Sequence, residues 1–192
     1  MRHETVRAES LNVAGLSDST HLPRVTTKPD TSVRSRPLEP RDRQALARIL
    51  DNVGNFSAAE QTVALELIDA WLAGGEASDY MCWVLEDAAA VRGYVCIGPT
   101  PLTDGTFDLY WIAVDPSAQG RGYGQVLTRL AEDEARARGG RLLIIETASQ
   151  DTYAPTVRFY EHAGYELVST IPDFYKPGDD KLTFAKRLDR GK

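Results

Sequence analysis

Apolar residues along this chain recur at two periods, separated by stretches with none. After Pro40, Leu46, Ile49, Leu50 and Val53 fall on one side of a helix. Ser57-Ala58-Ala59-Glu60 then has the form of a capping box and opens a second helix. Its face carries Val63, Ala64, Leu67, Ile68, Trp71 and Leu72, and Gly74-Gly75 stops it. A third helical period runs from Gly122 to about Arg138, ended by Gly139-Gly140, and Pro155 and Gly164 frame a short fourth helix. Strand-like runs cover 33–36, 80–86, 93–97 and 107–114, with a turn near 87–92. Leu142 to Ile145 is an unbroken apolar run of the kind expected for a strand covered on both faces. Strand 107–114, helix 122–138 and strand 142–145 together imply a right-handed crossover between parallel neighbours. Runs at 165–171 and 182–188 close the sheet; the segment 172–181 between them looks too long for a simple hairpin turn.

This order predicts an α/β fold with a mixed sheet, in one domain over 33–190. Residues 1–32 are rich in Ser, Thr, Arg and Asp, contain Pro23 and Pro29, and read as a flexible extension. A chain of 192 residues that is 42% hydrophobic has room for one well-buried core. The net charge of −6 argues against a general nucleic-acid binder and suits a cationic partner. No apolar run is long enough to span a bilayer and no signal-peptide pattern opens the chain, so a soluble, cytoplasmic protein is expected. Cys82 and Cys96 lie in strand-like segments and read as buried thiols, and His3, His21 and His162 show no metal-ligand spacing, so no metal is expected.

The segment Gln119-Gly120-Arg121-Gly122-Tyr123-Gly124 connects the strand 107–114 to the third helix. Its glycines permit turns that aim successive N–H groups at one point, and the helix start adds partial positive charge, so a pyrophosphate is the expected ligand. The Gly-Lys-Ser/Thr of a Walker loop is absent, and Gln125 stands where a dinucleotide fingerprint needs glycine. The remaining pattern, Gln-x-x-Gly-x-Gly after Trp111-Ile112-Ala113-Val114-Asp115-Pro116, resembles the coenzyme A signature of the GCN5-related N-acetyltransferases, the GNAT superfamily. Arg158-Phe159-Tyr160-Glu161-His162-Ala163-Gly164-Tyr165 is similar to that family's second signature, and the elements from 33 to 188 follow its order. The position of Glu146 resembles that of the glutamate in the ribosomal-protein N-acetyltransferases of the family.

The resemblance implies a largely antiparallel sheet of six to seven strands. Its central parallel pair splays to hold acetyl-CoA as co-substrate, and about four helices flank it. Ile112, Ala113 and Val114 would bond the pantetheine arm through their backbone, and Gln119, Gly120, Arg121, Gly122, Tyr123, Gly124 and Gln125 would cradle the pyrophosphate. It further implies direct acetyl transfer in a ternary complex to a primary amine, on a protein or a small molecule. Glu146, at the end of a buried strand, is the candidate base, with burial expected to raise its pKa; Tyr160 is the candidate acid for the leaving thiolate. Tyr153 is a substrate candidate in the loop between them, and Asp173, Phe174 and Tyr175, with Asp179 and Asp180, offer carboxylates and aromatics to an ammonium. Phe56 and Trp71 read as core, with an acceptor wall as the alternative. A noncatalytic acyl-CoA sensor on the same fold and an unrelated nucleotide-binding α/β domain are the competing readings; family members are often homodimers.

Overall fold

The computed structural model describes residues 13–14, 33–54 and 56–188. In chain order the strands are β1 (Val13–Ala14), β2 (Arg34–Pro37), β3 (Met81–Glu86), β4 (Val91–Pro99), β5 (Thr106–Val114), β6 (Leu142–Ala148), β7 (Glu166–Lys176) and β8 (Asp179–Arg187). The α-helices are α1 (Arg43–Asn52), α2 (Ala58–Gly74), α3 (Tyr123–Ala137) and α4 (Ala154–His162). Seven strands form one sheet in the order β2-β3-β4-β5-β6-β8-β7, and β1 lies beside β5. Every main-path ladder is antiparallel except that between β5 and β6. The expectation for residues 1–32 falls outside the described residues, apart from the two of β1.

Each sheet face carries its own core. Leu46, Ile49 and Leu50 of α1 and Ala64, Leu67 and Ile68 of α2 pack with Val84, Tyr94, Trp111 and Ala113 on one face. Leu127, Ala131 and Ala135 of α3 and Phe159 and Tyr160 of α4 pack with Ile112, Val114, Leu143, Ile145 and Phe184 on the other. The α2 start is the capping box read from sequence: Ser57 N–H donates to the Glu60 carboxylate at 2.7 Å, and Glu60 N–H donates to Ser57 Oγ at 3.3 Å. Phe56 stacks on Trp111 at 4.8 Å, and Trp71 Nε1 donates to the Leu38 carbonyl at 2.9 Å, so both serve the core. Cys82 and Cys96 face each other across β3 and β4, fully buried, where desolvation pushes the Cys82 thiol well up.

Two expectations need correcting. Leu143 and Ile145 of β6 are buried, but Leu142, Ile144 and Glu146 are only half-buried, so this strand is fully covered on one face alone. The segment 172–181 is a continuation of β7 and β8 around a tight turn at Pro177-Gly178. Sequence periodicity missed it because Asp173 adopts φ 53° and shifts the register between Ile171 and Lys176. Side chains satisfy the backbone there: Asp173 N–H donates to Asp180 Oδ1 at 2.9 Å, and Gly178 N–H donates to Asp173 Oδ1 at 2.6 Å.

Candidate active site

The crevice begins where β5 leaves β6. The two strands pair at Thr106↔Leu142, Phe107↔Leu143 and Asp108↔Ile144, and no further. On its other edge β5 shifts register against β4, from Ile97↔Leu109 to Cys96↔Trp111, so Tyr110 is the extra residue of a bulge. A bulge bends its strand and sharpens the local twist. Here it lies directly after the last β6 pair and accounts for the parting. Beyond it Ile112, Ala113 and Val114 are buried, held on one edge by Val95, Tyr94 and Gly93 of β4.

From Val114 the chain passes through a short 3-10 turn at Pro116–Ala118 into α3, which places the N-terminus of α3 at the open end of β5. Gly120 (φ 75°) and Gly122 (φ 80°) are both left-handed, and an added Cβ would meet nothing within 4 Å at either. The requirement for glycine is therefore conformational rather than steric. Gly122 is the N-cap of α3, so the N–H groups of the first turn, at Tyr123, Gly124 and Gln125, have no intrahelical acceptor. Gly120, Arg121 and Gly122 are exposed, Gln119 is half-buried, and Tyr123 and Gly124 are buried. This is the geometry of an anion cradle, with Arg121 free to approach it from solvent. A hollow of about 230 Å³ adjoins it, lined by Gln125, Arg129, His162 and Lys186 among others.

Tyr160 is fully buried, its ring meeting Phe159 at 5.4 Å, Tyr165 at 5.5 Å and Phe184 at 6.0 Å. It shares a core cluster with Ile112, Val114 and Ile145, the residues that flank the parting. Its hydroxyl has no hydrogen-bond partner among the described residues, and burial pushes its pKa well up. Its O–H is therefore a buried donor left unmet among the described residues.

Glu146 lies inside β6, two residues beyond that strand's last pair with β5 rather than at its end, and in company: Lys181 Nζ donates to its carboxylate at 2.8 Å and also lies 4.8 Å over the Phe174 ring. A second carboxylate, which the sequence reading passed over, lies nearby on β5. Asp108 accepts from Thr100 Oγ1 at 2.8 Å and from the Tyr110 hydroxyl at 3.5 Å, and Tyr110 stacks edge-on with Tyr80 at 5.2 Å. Desolvation pushes Asp108 above its ordinary value; the Thr100 hydrogen bond opposes this and the Glu146 charge reinforces it. The signal in the sequence was that Asp108 is the one charged residue between Thr106 and Val114.

Of the acceptor candidates, Tyr153 is buried, with desolvation foremost and the charges of Glu60 and Asp179 next in raising its pKa. Asp179 is buried too, and Gln150 Nε2 donates to its Oδ2. Phe174 is exposed and stacks on half-buried Tyr175 at 4.9 Å. Asp173 spends its carboxylate on the turn, so the structure brings together Glu146, Lys181 and Phe174 but assigns Asp173 to the hairpin. Among the described residues no cluster of three or more His, Cys, Asp or Glu side chains is placed to hold a metal ion, and no helix is long and apolar enough to cross a membrane.

Residues 46–165 match the family described as Acetyltransferase (GNAT) family. An acetyltransferase of that family from Desulfovibrio desulfuricans superimposes with a TM-score of 0.80 at 40% identity, covering 82% of this chain and all of that one. The yncA structure from Salmonella typhimurium, which carries its cofactor acetyl-CoA, superimposes with a TM-score of 0.64 at 21% identity over 83% of this chain and 96% of its own. The mycothiol acetyltransferase of Beutenbergia cavernae is 39% identical over 72 residues, 38% of this chain; the match spans only 24% of that protein.

Proposed function

The chain belongs to the acetyltransferase (GNAT) family, and on that premise we propose that it moves an acetyl group from acetyl-CoA to a primary amine by direct transfer in a ternary complex. The observation that carries the proposal is the parting of β5 from β6 beside a helix N-terminus preceded by two left-handed glycines. The cradle from Gln119 to Gln125 takes the pyrophosphate of the co-substrate, and the edge of β5 that β6 vacates at Ile112, Ala113 and Val114 takes the pantetheine arm as an added strand. A main-chain N–H near Val114 faces the thioester oxygen, where it stabilises the developing oxyanion.

The acceptor enters on the face that carries Asp108 and Glu146. An alkylammonium near pKa 10.4 must lose a proton before its nitrogen can attack the thioester carbon. Asp108, half-buried and pushed upward in pKa, is better placed to take that proton than Glu146, whose carboxylate is engaged by Lys181. Before that proton leaves, Glu146 and the aromatic rings of Tyr80, Tyr110 and Phe174 hold the cationic amine. When the C–S bond breaks, Tyr160 gives its hydroxyl proton to the departing thiolate and regains one from the nitrogen that has attacked, so that the acetylated amine and free coenzyme A leave.

The test is acetyl-CoA-dependent thiol release by the purified full chain with two acceptor sets, small amines and peptides bearing free N-termini or lysines. Release with either set supports the transfer and identifies the acceptor class. Coenzyme A binding with no release from either set would overturn the catalytic reading for those classes.

A further inference from the structure

The edge of β5 that β6 vacates already has an occupant. Val13 pairs with Ile112 and Ala14 with Ala113, in parallel, on the edge that β6 vacates after Asp108. Because β4 holds the opposite edge of the same residues, β1 sits in the slot assigned above to the pantetheine arm. A strand edge offers each N–H and C=O one partner on that side, so strand and arm exclude one another.

We infer that the chain's own N-terminal segment is an autoinhibitory strand that competes with the coenzyme for the β5 edge. The inference rests on the coenzyme reading above. Two features of the sequence agree with it. Leu11, Val13, Ala14 and Leu16 make the densest apolar stretch in the first 32 residues, as an added strand requires. The tether is long enough: 19 residue steps separate Ala14 from Val33, able to span roughly 60 Å when extended. β2 lies three strands from β5, about 15 Å away across the sheet. Tethering raises the local concentration of the segment to about millimolar, so two residues of pairing compete with a diffusible ligand. The competition acts on coenzyme affinity and leaves the transfer step untouched, because the strand must be gone before transfer begins.

The test uses the full chain and a Val13→Pro, Ala14→Pro double variant; proline lacks the N–H that pairing requires. The dissociation constant of coenzyme A is measured by calorimetry, with KM for acetyl-CoA and kcat alongside. The expected result is binding about fivefold tighter in the variant, a matching fall in KM, and the same kcat. Hydrogen exchange by mass spectrometry gives a second, independent readout. The N-terminal peptide containing residues 13–14 is protected in the free parent protein and loses that protection when coenzyme A is added. Equal affinity in parent and variant, or no protection of that peptide, would overturn the strand while leaving the coenzyme reading intact. No coenzyme binding by either protein would overturn the coenzyme reading, and the competition with it.

Discussion

A buried phenol with no hydrogen bond is normally a cost to folding, which makes the Tyr160 hydroxyl informative. If it served stability it would have a partner. Tyr160→Phe is therefore expected to leave the melting temperature unchanged or slightly raised while cutting kcat by about a hundredfold, with coenzyme A affinity preserved. Turnover equal to the parent's in the variant removes Tyr160 from the acid role. Asp108 and Glu146 separate in the same way. Asp108→Asn is expected to lower kcat/KM by about two to four orders of magnitude and to abolish the acid limb of the pH profile. Glu146→Gln is expected to raise the acceptor's KM more than it lowers kcat. The sign on stability is opposite. Because Asp108 has a raised value in the folded chain, its native form holds its proton at a pH where the unfolded chain has released it. Stability then falls as pH rises from about 3.8 through the folded value. Asp108→Asn should consequently gain a few degrees of melting temperature at pH 7, a trade of stability for function that thermal denaturation at pH 7 would show directly.

Among the elements, the loop into α3 is the one whose backbone is most constrained. Gly122→Ala places a Cβ on a residue at φ 80°, costing about 1–2 kcal/mol, although nothing crowds it. The expected outcome is weaker coenzyme A binding, measured by calorimetry, with the sheet and its cores intact by circular dichroism. That loop was legible in the sequence because its signals are local: glycine spacing, a preceding strand and a following helix. The α2 capping box was legible for the same reason. The outer end of the β7–β8 hairpin, beyond the strand pair read from 165–171 and 182–188, was not, because its register shift at Asp173 is stabilised by Asp180, a partner seven residues away that only the folded hairpin brings near. Asp108 was missed because a single polar residue in an apolar strand reads as noise until the other strands show which face is left open. The coverage of β6 was overestimated since apolar letters alone do not say that α1 and α2 pack over β3, β4 and β5 instead of reaching its second face.

At the scale of the whole molecule, two devices hold the sheet to its helices and to itself. At the β2 edge, Arg36 donates to Asp42 at 2.6 and 2.8 Å and to Glu86 at 2.6 Å, tying β2 and the start of α1 to β3. Burial works against the Asp42 charge, but the Arg36 hydrogen bonds, the Glu39 N–H and the charges of Arg36 and Arg41 together more than offset it and hold the carboxyl below its ordinary value. That contribution is present above about pH 3.8 and is lost as pH falls through the depressed value. Arg36→Met leaves Asp42, 3% exposed, without its cation, and is expected to cost about 3–5 kcal/mol in chemical denaturation. It should also flatten the acid dependence of stability. The second device is the middle of the sheet, and it is the weaker one. β5 and β6 share three register pairs, whereas β6 and β8 share seven. α3 and the core beneath it also join the two halves, Lys186 of β8 donating to Glu132 at 2.8 Å. Cooperative units tend to separate where hydrogen bonding is sparse. The part from Leu142 to Leu188 should therefore open as a body of its own, below the free energy of global unfolding, and its amides should exchange earlier than those of β3 and β4. Any molecule that bridges the gap, added strand or ligand, would then show first as slowed exchange in β6 and β8, before it moves the melting temperature of the chain.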